Sequence, residues 1–435
     1  MISAGRLDEV VPIEPAAMAG RSVIQWDKDD CADLGIIKID LLGLGMLAAL
    51  EEMIPAIREH QGRQIDLAHL PPDDPKTYAM IRRADTVGVF QIESRAQMAS
   101  LPRNAPRRFY DLVIQVAIIR PGPIVGGMVH PYFERRQGRE KVTYLHPCLE
   151  PILERTLGVP IFQEQVMQIA MVAAGFSGSE ADVLRRSMAA WARRGGLEHM
   201  HRRLVDGMLQ RGYSETFAEQ IFQQIRGFGE YGFPESHAAS FALLVYVSAW
   251  MKRHHPAAFS CALLNSQPMG FYQPAQLMLD ARRHGVKVLP VDVRYSDWDC
   301  TLEEKRGQSP FSRKQLLYRP TSQKKGSDPF LPALRLGLRM VKGMREDAAH
   351  RIVAARAEHP FRDVQDLAGR AALDRHDLAV LAEAAALRGL AGHRHRARWE
   401  IAAVERGRSK VPDQTDLALY SDPNADPVSI RPPTE

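Results

Sequence analysis

From residue 67 to residue 290, apolar side chains recur at helical spacing, and the breaks fall at Pro121-Gly122-Pro123 and Tyr231-Gly232-Phe233-Pro234. A pattern of this length and period folds as packed helices, so the expected fold class is predominantly α with small α/β parts. With 435 residues, 45% of them hydrophobic, the chain can bury more than one core and is read as multidomain. No run of about 18 uncharged apolar residues occurs, so no membrane partner is expected. The start, Met1-Ile2-Ser3-Ala4-Gly5-Arg6-Leu7-Asp8-Glu9, lacks the charged-then-apolar plan of a signal peptide. Cys31, Cys148, Cys261 and Cys300 lie far apart without metal-type spacing and read as free cytosolic thiols.

Other segments differ in kind. Within residues 1–66, Ile36-Ile37-Lys38-Ile39-Asp40 is rich in β-branched residues and reads as a strand. Leu44 to Ile54 has helical periodicity, which Pro55 is expected to kink or end. Val286-Lys287-Val288-Leu289-Pro290-Val291 looks like a short strand, placed at a sheet edge or strand end by its proline. Residues 291–303 form a short strand or linker. Residues 304–331 carry seven basic side chains between Lys305 and Lys325, no acidic one there, and few large apolar groups. Such a segment cannot offset its ordering entropy and reads as a disordered basic insertion. Helices resume from Arg345 to about Glu405, the first expected at Arg345–Ala357, and 406–435 reads as a disordered tail.

The net charge of +5 is modest, so clustering carries more weight than the total. Arg82-Arg83, Arg107-Arg108, Arg135-Arg136, Arg185-Arg186, Arg193-Arg194 and Lys252-Arg253 are basic pairs. They fit either solvated helix faces or a phosphate-facing surface.

Side chains alternate across a strand, so Lys38 and Asp40 share one face and Ile37 and Ile39 the other. The carboxylate could hold Mg²⁺ and the ammonium could meet a phosphate; the alternative is an exposed pair on a half-buried strand. In Gly178-Ser179-Glu180-Ala181-Asp182-Val183-Leu184-Arg185-Arg186, Ser179 is the expected N-cap and Asp182 the residue reaching back to it. Arg186 and Arg193 then share a helix face, and these guanidinium groups suit a triphosphate or a DNA backbone, or simply solvent. Ser236 and His237 open a long helix whose N-terminus suits an anion, unless Ser236 is merely the cap. The side chains of adjacent His254 and His255 are expected to diverge. Leu338-Arg339-Met340-Val341-Lys342-Gly343-Met344 resembles a helix-hairpin-helix turn, with Arg345 where a second glycine usually stands. An ordinary turn between packed helices is the alternative.

The order of several blocks says more than any one of them. Gln25-Trp26-Asp27-Lys28-Asp29-Asp30, Lys38-Ile39-Asp40-Leu41-Leu42-Gly43-Leu44, Gly88-Val89-Phe90-Gln91-Ile92-Glu93-Ser94-Arg95, Arg120-Pro121-Gly122-Pro123, Phe162-Gln163-Glu164-Gln165-Val166-Met167, Leu184-Arg185-Arg186 and Gly232-Phe233-Pro234-Glu235-Ser236-His237-Ala238 follow one another along the chain. This series resembles the bacterial polymerase III alpha-subunit family. Trp26 to Asp30 and Phe233 to His237 resemble its error-prone, damage-tolerant branch. The resemblance covers about residues 5–303 and 332–404.

It implies a partial nucleotidyltransferase-like palm over 1–66, helical fingers over 67–290 and a helix-hairpin-helix DNA-binding region over 332–405. It further implies a DNA-directed DNA polymerase that works in translesion synthesis, DNA repair and replication. Such an enzyme transfers nucleotides from deoxynucleoside triphosphates to a primer 3′-hydroxyl on primer–template DNA. Two Mg²⁺ ions, other translesion-synthesis proteins and a cytoplasmic, nucleoid-associated location belong to the same expectation. Asp40 matches the third palm carboxylate and metal ligand, and Lys38 the palm lysine near the nucleotide. Arg185, Arg186, Ser236 and His237 match the fingers' nucleotide site, and Lys342, Gly343 and Arg345 the duplex-binding hairpin. Two further palm carboxylates are expected upstream of Met1. A catalytically incomplete, non-specific DNA-binding remnant is therefore the alternative for the chain alone.

Overall fold

The structure, a computed structural model, describes residues 5–16, 20–26, 30, 33–34, 43–119, 129–188, 197–229, 233–270, 272–303 and 332–408. The strand expected at Ile36–Asp40 lies outside these residues, as do 304–331 and the tail from 409. The chain divides into two compact units, Met1–Ala48 and Ala49–Glu435. In the first, β1 (Ile13–Pro15) and β2 (Ser22–Ile24) pair antiparallel, with Ile13 opposite Ile24.

Helix α1 (Leu44–Gln61) continues past Pro55, so of the two expected effects of this proline, a kink or an end, the second does not occur. Pro55 is exposed, so the carbonyl deprived of its N–H partner can be hydrated. Met53 and Ile57, both fully buried, continue the apolar stripe across it.

Two helices that are apolar on most faces form the centre of the second unit, as full burial requires. These are α4 (Phe109–Ile118), buried from Asp111 onward, and α10 (Glu235–His254), which packs along it. Around them lie α2 (Pro75–Arg82), α3 (Arg95–Asn104), α5 (Val129–Arg136), α11 (Pro256–Asn265) and α12 (Pro274–Arg283). A separate apolar cluster is built by the amphipathic helices α6 (Gln163–Ala174), α7 (Gly178–Met188), α8 (Leu197–Gln210) and α9 (Glu215–Gly229). Gly207 of α8 lies so close to α6 that a Cβ there would meet the Ala174 carbonyl oxygen at 2.3 Å.

A small sheet follows, with β3 (Val288–Leu289) parallel to β5 (Ala333–Arg335) and β4 (Thr301–Glu303) antiparallel to β5 on its other side. Val288–Leu289 is an edge strand that stops before Pro290. Glu303 pairs directly with Ala333, so residues 304–331 join two hydrogen-bonded strand ends. Lengthening such a connection costs little, because loop-closure entropy grows slowly with length. The last helices are α13 (Glu346–Glu358), α14 (Val364–Arg370), α15 (Arg375–Glu383) and α16 (Arg394–Arg408), around a third core that includes Ile352, Leu367, Leu378 and Leu381. Among the described residues, no helix is long and apolar enough to cross a membrane.

Candidate functional site

Arg185 and Arg186 sit in the last turn of α7. The cap of this helix differs from the one expected. Ser177, not Ser179, receives the Glu180 N–H at 3.2 Å, and Glu180 Oε2 receives the Ser177 N–H at 2.7 Å. This reciprocal box lies two residues upstream, because Gly178 already belongs to the helix. Asp182 is thereby left for the arginines. Arg185 Nε donates to Asp182 Oδ1 at 2.9 Å, and Arg186 Nε lies 3.1 Å from Asp182 Oδ2. The Arg185 hydrogen bond holds the Asp182 carboxyl below its ordinary range. Arg186 remains 60% exposed, so water screens its pairing strongly. Arg193 lies outside the described residues.

Helix α10 begins at Glu235, which places Ser236 inside its first turn; the residue at the cap position is Pro234. Ser236 is exposed, whereas the His237 ring sits between Phe233 and Phe241, with centroids 5.1 and 4.2 Å away. The turn before this helix is clamped by Phe162-Gln163-Glu164. Phe162 and Phe233 form a parallel bridge, and Gln163 N–H donates to the Phe233 carbonyl at 3.1 Å. Glu164 Oε2 accepts the Glu235 N–H at 2.9 Å, placing a carboxylate at the positive end of α10. The Glu235 side chain accepts from Tyr110 Oη at 2.7 Å, and Arg155 stacks on the Tyr110 ring at 3.7 Å. Two blocks some 70 residues apart in sequence, the Phe162 and Phe233 segments, thus form one piece of structure, with Glu235–Glu164 separated by 71 positions.

In the hairpin, Gly343 has φ +83°, a conformation that favours glycine. Its carbonyl accepts from His376 Nε2 at 2.9 Å. Lys342 is exposed and makes no ion pair among the described residues. Arg345 caps α13 by position, and its guanidinium is already engaged. It lies 2.7 Å from Asp374 Oδ2 and 2.8 Å from Oδ2 of fully buried Asp377. The charge expected at the phosphate pocket instead ties α13 to α15. Lys38 and Asp40 lie outside the described residues.

Sequence reasoning missed a buried ionic cluster. Lys252, 1% exposed, directs Nζ to Asp280 at 2.9 Å, Asp85 at 3.4 Å and the Val87 carbonyl at 2.9 Å. His284 Nε2 lies 2.9 Å from Asp85 Oδ2. Burial alone would push the Asp85 carboxyl up, but His284 and the Lys252 ammonium pull it down to about 2. Asp85, Asp280 and His284 have metal-ligand chemistry and donor atoms within 4.8 Å of one another. The ammonium on both carboxylates supplies the positive charge, so the cluster does not suit a cation. The available signal was a lysine following the apolar run Val245 to Met251 on a buried stripe. His254 and His255 do diverge, to Asp74 at 2.9 Å and Gln61 at 2.8 Å. Glu93 and Tyr272 are a further missed pair: Glu93 Oε2 and Tyr272 Oη are buried together, and Tyr272 offsets part of the cost of burying the carboxylate. Burial raises the Glu93 carboxyl to about 7.

Comparison with known proteins matches three consecutive parts of the chain. Residues 1–43 match the family described as the bacterial DNA polymerase III alpha NTPase domain, and residues 46–212 its finger domain. Residues 285–397 match a helix-hairpin-helix family. The chain is 58% identical over 435 residues to an error-prone DNA polymerase of Methylococcus capsulatus, covering 99% of this chain and 40% of that protein. It is 59% identical to the error-prone DNA polymerase of Alkalilimnicola ehrlichii over 94% of this chain and 38% of the relative. For that of Pseudomonas aeruginosa the identity is 59%, over 93% of this chain and 37% of the relative. The chain therefore spans well under half the length of the curated relatives it matches.

Proposed function

Because the chain belongs to the bacterial DNA polymerase III alpha-subunit family, we propose that it supplies the fingers, the DNA-binding hairpin region and part of the palm of an error-prone DNA polymerase. The observation carrying this reading is the 58% identity to an error-prone polymerase over 99% of the chain. The reaction is template-directed nucleotidyl transfer to a primer 3′-hydroxyl, with deoxynucleoside triphosphates and primer–template DNA as substrates. Other translesion-synthesis proteins are its proposed partners.

The residues divide the work by chemistry. Arg185 and Arg186 bind the triphosphate; a half-buried carboxylate, Asp182, holds them in readiness and yields them to a more highly charged anion. Ser236 and His237 line the same nucleotide site at the start of α10, with His237 held by its two phenylalanine neighbours. Lys342 and the backbone around Gly343 meet a duplex phosphate without reading sequence. Arg345, engaged by Asp374 and Asp377, shapes that hairpin. Lys38 orients the incoming phosphate. Asp40 is a hard oxygen donor of the kind Mg²⁺ prefers, though one carboxylate needs companions to hold two ions. Bound there, Mg²⁺ would activate the 3′-hydroxyl and neutralise charge on the departing pyrophosphate.

A chimera tests this. When this sequence replaces the matching stretch of the Methylococcus capsulatus relative, Mg²⁺-dependent primer extension should persist and Asp40→Asn should abolish it. Extension that survives Asp40→Asn would remove the carboxylate from the reaction.

A further inference from the structure

Glu164 and the start of α10 meet across 71 positions of sequence, and the contact is braced from both sides. On the α6 side, the neighbouring Gln165 is buried and both ends of its amide are engaged. Its Oε1 accepts the N–H groups of Ile161 and Phe162 at 2.8 and 3.1 Å, and its Nε2 donates to the Ile152 carbonyl at 3.1 Å and to Thr156 Oγ1 at 2.9 Å. A buried amide with this many partners fixes the backbone beside it, so Glu164 projects from a rigid base. On the α10 side, the Ala238 N–H closes the first helical bond onto the Pro234 carbonyl at 3.0 Å, which leaves the Glu235 N–H without a partner inside the helix. Glu164 Oε2 takes that N–H at 2.9 Å, and Ser236 and His237 are the next two residues. Behind Glu164, α6 shares a core with α7 through Ile169, Ala173, Ala181 and Leu184, and Leu184 directly precedes Arg185.

We propose that Glu164 is a positioning residue of the nucleotide site, which holds Ser236 and His237 at a fixed place relative to α6 and to the arginines that α7 carries. This deepens the polymerase reading above and rests on it. The Glu164 carboxylate already occupies the positive end of α10, the place a phosphate would otherwise favour. The triphosphate is therefore left to Arg185 and Arg186. Helix α10 offers the Ser236 hydroxyl and the His237 imidazole to the uncharged parts of the nucleotide, with that ring steadied by Phe233 and Phe241. The charge of Glu164 repels a triphosphate, whereas its reach orders the residues that meet one. The two effects carry opposite signs, so substitution can separate them.

The test is binding of deoxythymidine triphosphate with Mg²⁺ to the 435-residue chain, measured by calorimetry in two variants. Glu164→Asp keeps the charge but is one methylene short of the Glu235 N–H, and should weaken binding by roughly fivefold, the size of one lost helix cap. Glu164→Gln keeps an acceptor oxygen at the same reach without the charge, and should stay within about twofold of wild type. In a background that also carries Ser236→Ala and His237→Ala, Glu164→Asp should have no further effect, because the groups it places are gone. In an Arg186→Ala background its loss should remain in full. Binding that tightens in Glu164→Gln and is unchanged in Glu164→Asp would make Glu164 a repelling charge only, and overturns the proposal. So does a loss that both variants share, or one in Glu164→Asp that persists without Ser236 and His237. If Ser236→Ala with His237→Ala leaves affinity at the wild-type value, or the chain binds no nucleotide, the underlying assignment of the site fails and this inference with it.

Discussion

Lys252 and Arg186 each carry one positive charge beside aspartate, on helices of the same unit, but in opposite surroundings. Lys252 is 1% exposed, and its ammonium contacts two carboxylates and a carbonyl. Arg186 is 60% exposed and shares one aspartate with Arg185 in a single turn of α7. In the first case all three ammonium donors have protein acceptors, and no ligand could displace them without leaving a buried charge. In the second, water competes for every contact, so the carboxylate can be exchanged for another anion at little cost. Charge that is fully engaged builds structure. Charge held loosely at the surface is available for binding.

The largest expected effect breaks the buried side of this contrast. Asp280→Ala removes the closer carboxylate and leaves the Lys252 ammonium underpaired in an apolar setting. Loss of one partner of a buried pair costs about 3–5 kcal/mol, read as a lowered urea midpoint for the second unit. A loss below about 1 kcal/mol would mean that the cluster is hydrated and the contrast unfounded.

Next comes Glu93, a buried carboxyl raised by burial to about 7. The folded state holds this proton more tightly than the unfolded chain does. The contribution to stability is therefore present below the unfolded value and is lost as pH rises through the folded one. Glu93→Gln should stabilise the protein by about 2–3 kcal/mol at pH 8 and change little at pH 4, where both states are protonated. Denaturation of the two proteins at both pH values gives the answer. A benefit that is the same at pH 4 and pH 8 would exclude ionisation as its cause.

Much of the architecture could be read in the residues, because helices with a repeating apolar stripe need no knowledge of their neighbours. The break at Phe233-Pro234 is of this kind. What escaped was either non-local or a matter of one or two positions. Lys252 meets the Val87 carbonyl across 165 residues, and nothing near 252 announces its acceptors. Ser177 and Ser179 are both capping residues beside a glycine, and the choice between them depends on where the first helical turn closes. Arg345 reads from sequence as an added charge for DNA, because its partner Asp377 belongs to a later helix. Asp40 can be placed in a family pattern, but it lies outside the residues described.

A smaller effect is expected at two turns of the hairpin region. Ala372 and Ala385 adopt φ values of +48° and +54°, where glycine would be expected. Both are exposed, so removing the methyl group forfeits no packing. The left-handed conformation costs an alanine roughly 1–2 kcal/mol, part of which glycine's greater unfolded-state freedom offsets. Ala372→Gly and Ala385→Gly should each stabilise by about 0.5–1 kcal/mol. Destabilisation on thermal melting would show that the methyl groups pack against something.

The smallest effect on stability is the one that sharpens the contrast most. Arg186→Ala should leave the denaturation midpoint unmoved, because a 60% exposed guanidinium sharing Asp182 with Arg185 stabilises almost nothing. The same substitution should weaken binding of a deoxynucleoside triphosphate, measured by calorimetry, since charge-assisted hydrogen bonds to phosphate are the stronger kind. Lysine at 186 should restore part of that binding, as it keeps the charge but loses the planar fork. Stability and affinity would then separate completely at Arg186, whereas Asp280→Ala destroys stability without touching the nucleotide. If Arg186→Ala unfolds the helix instead, its pairing with Asp182 is structural, and the distinction between engaged and available charge fails at the point where it was drawn.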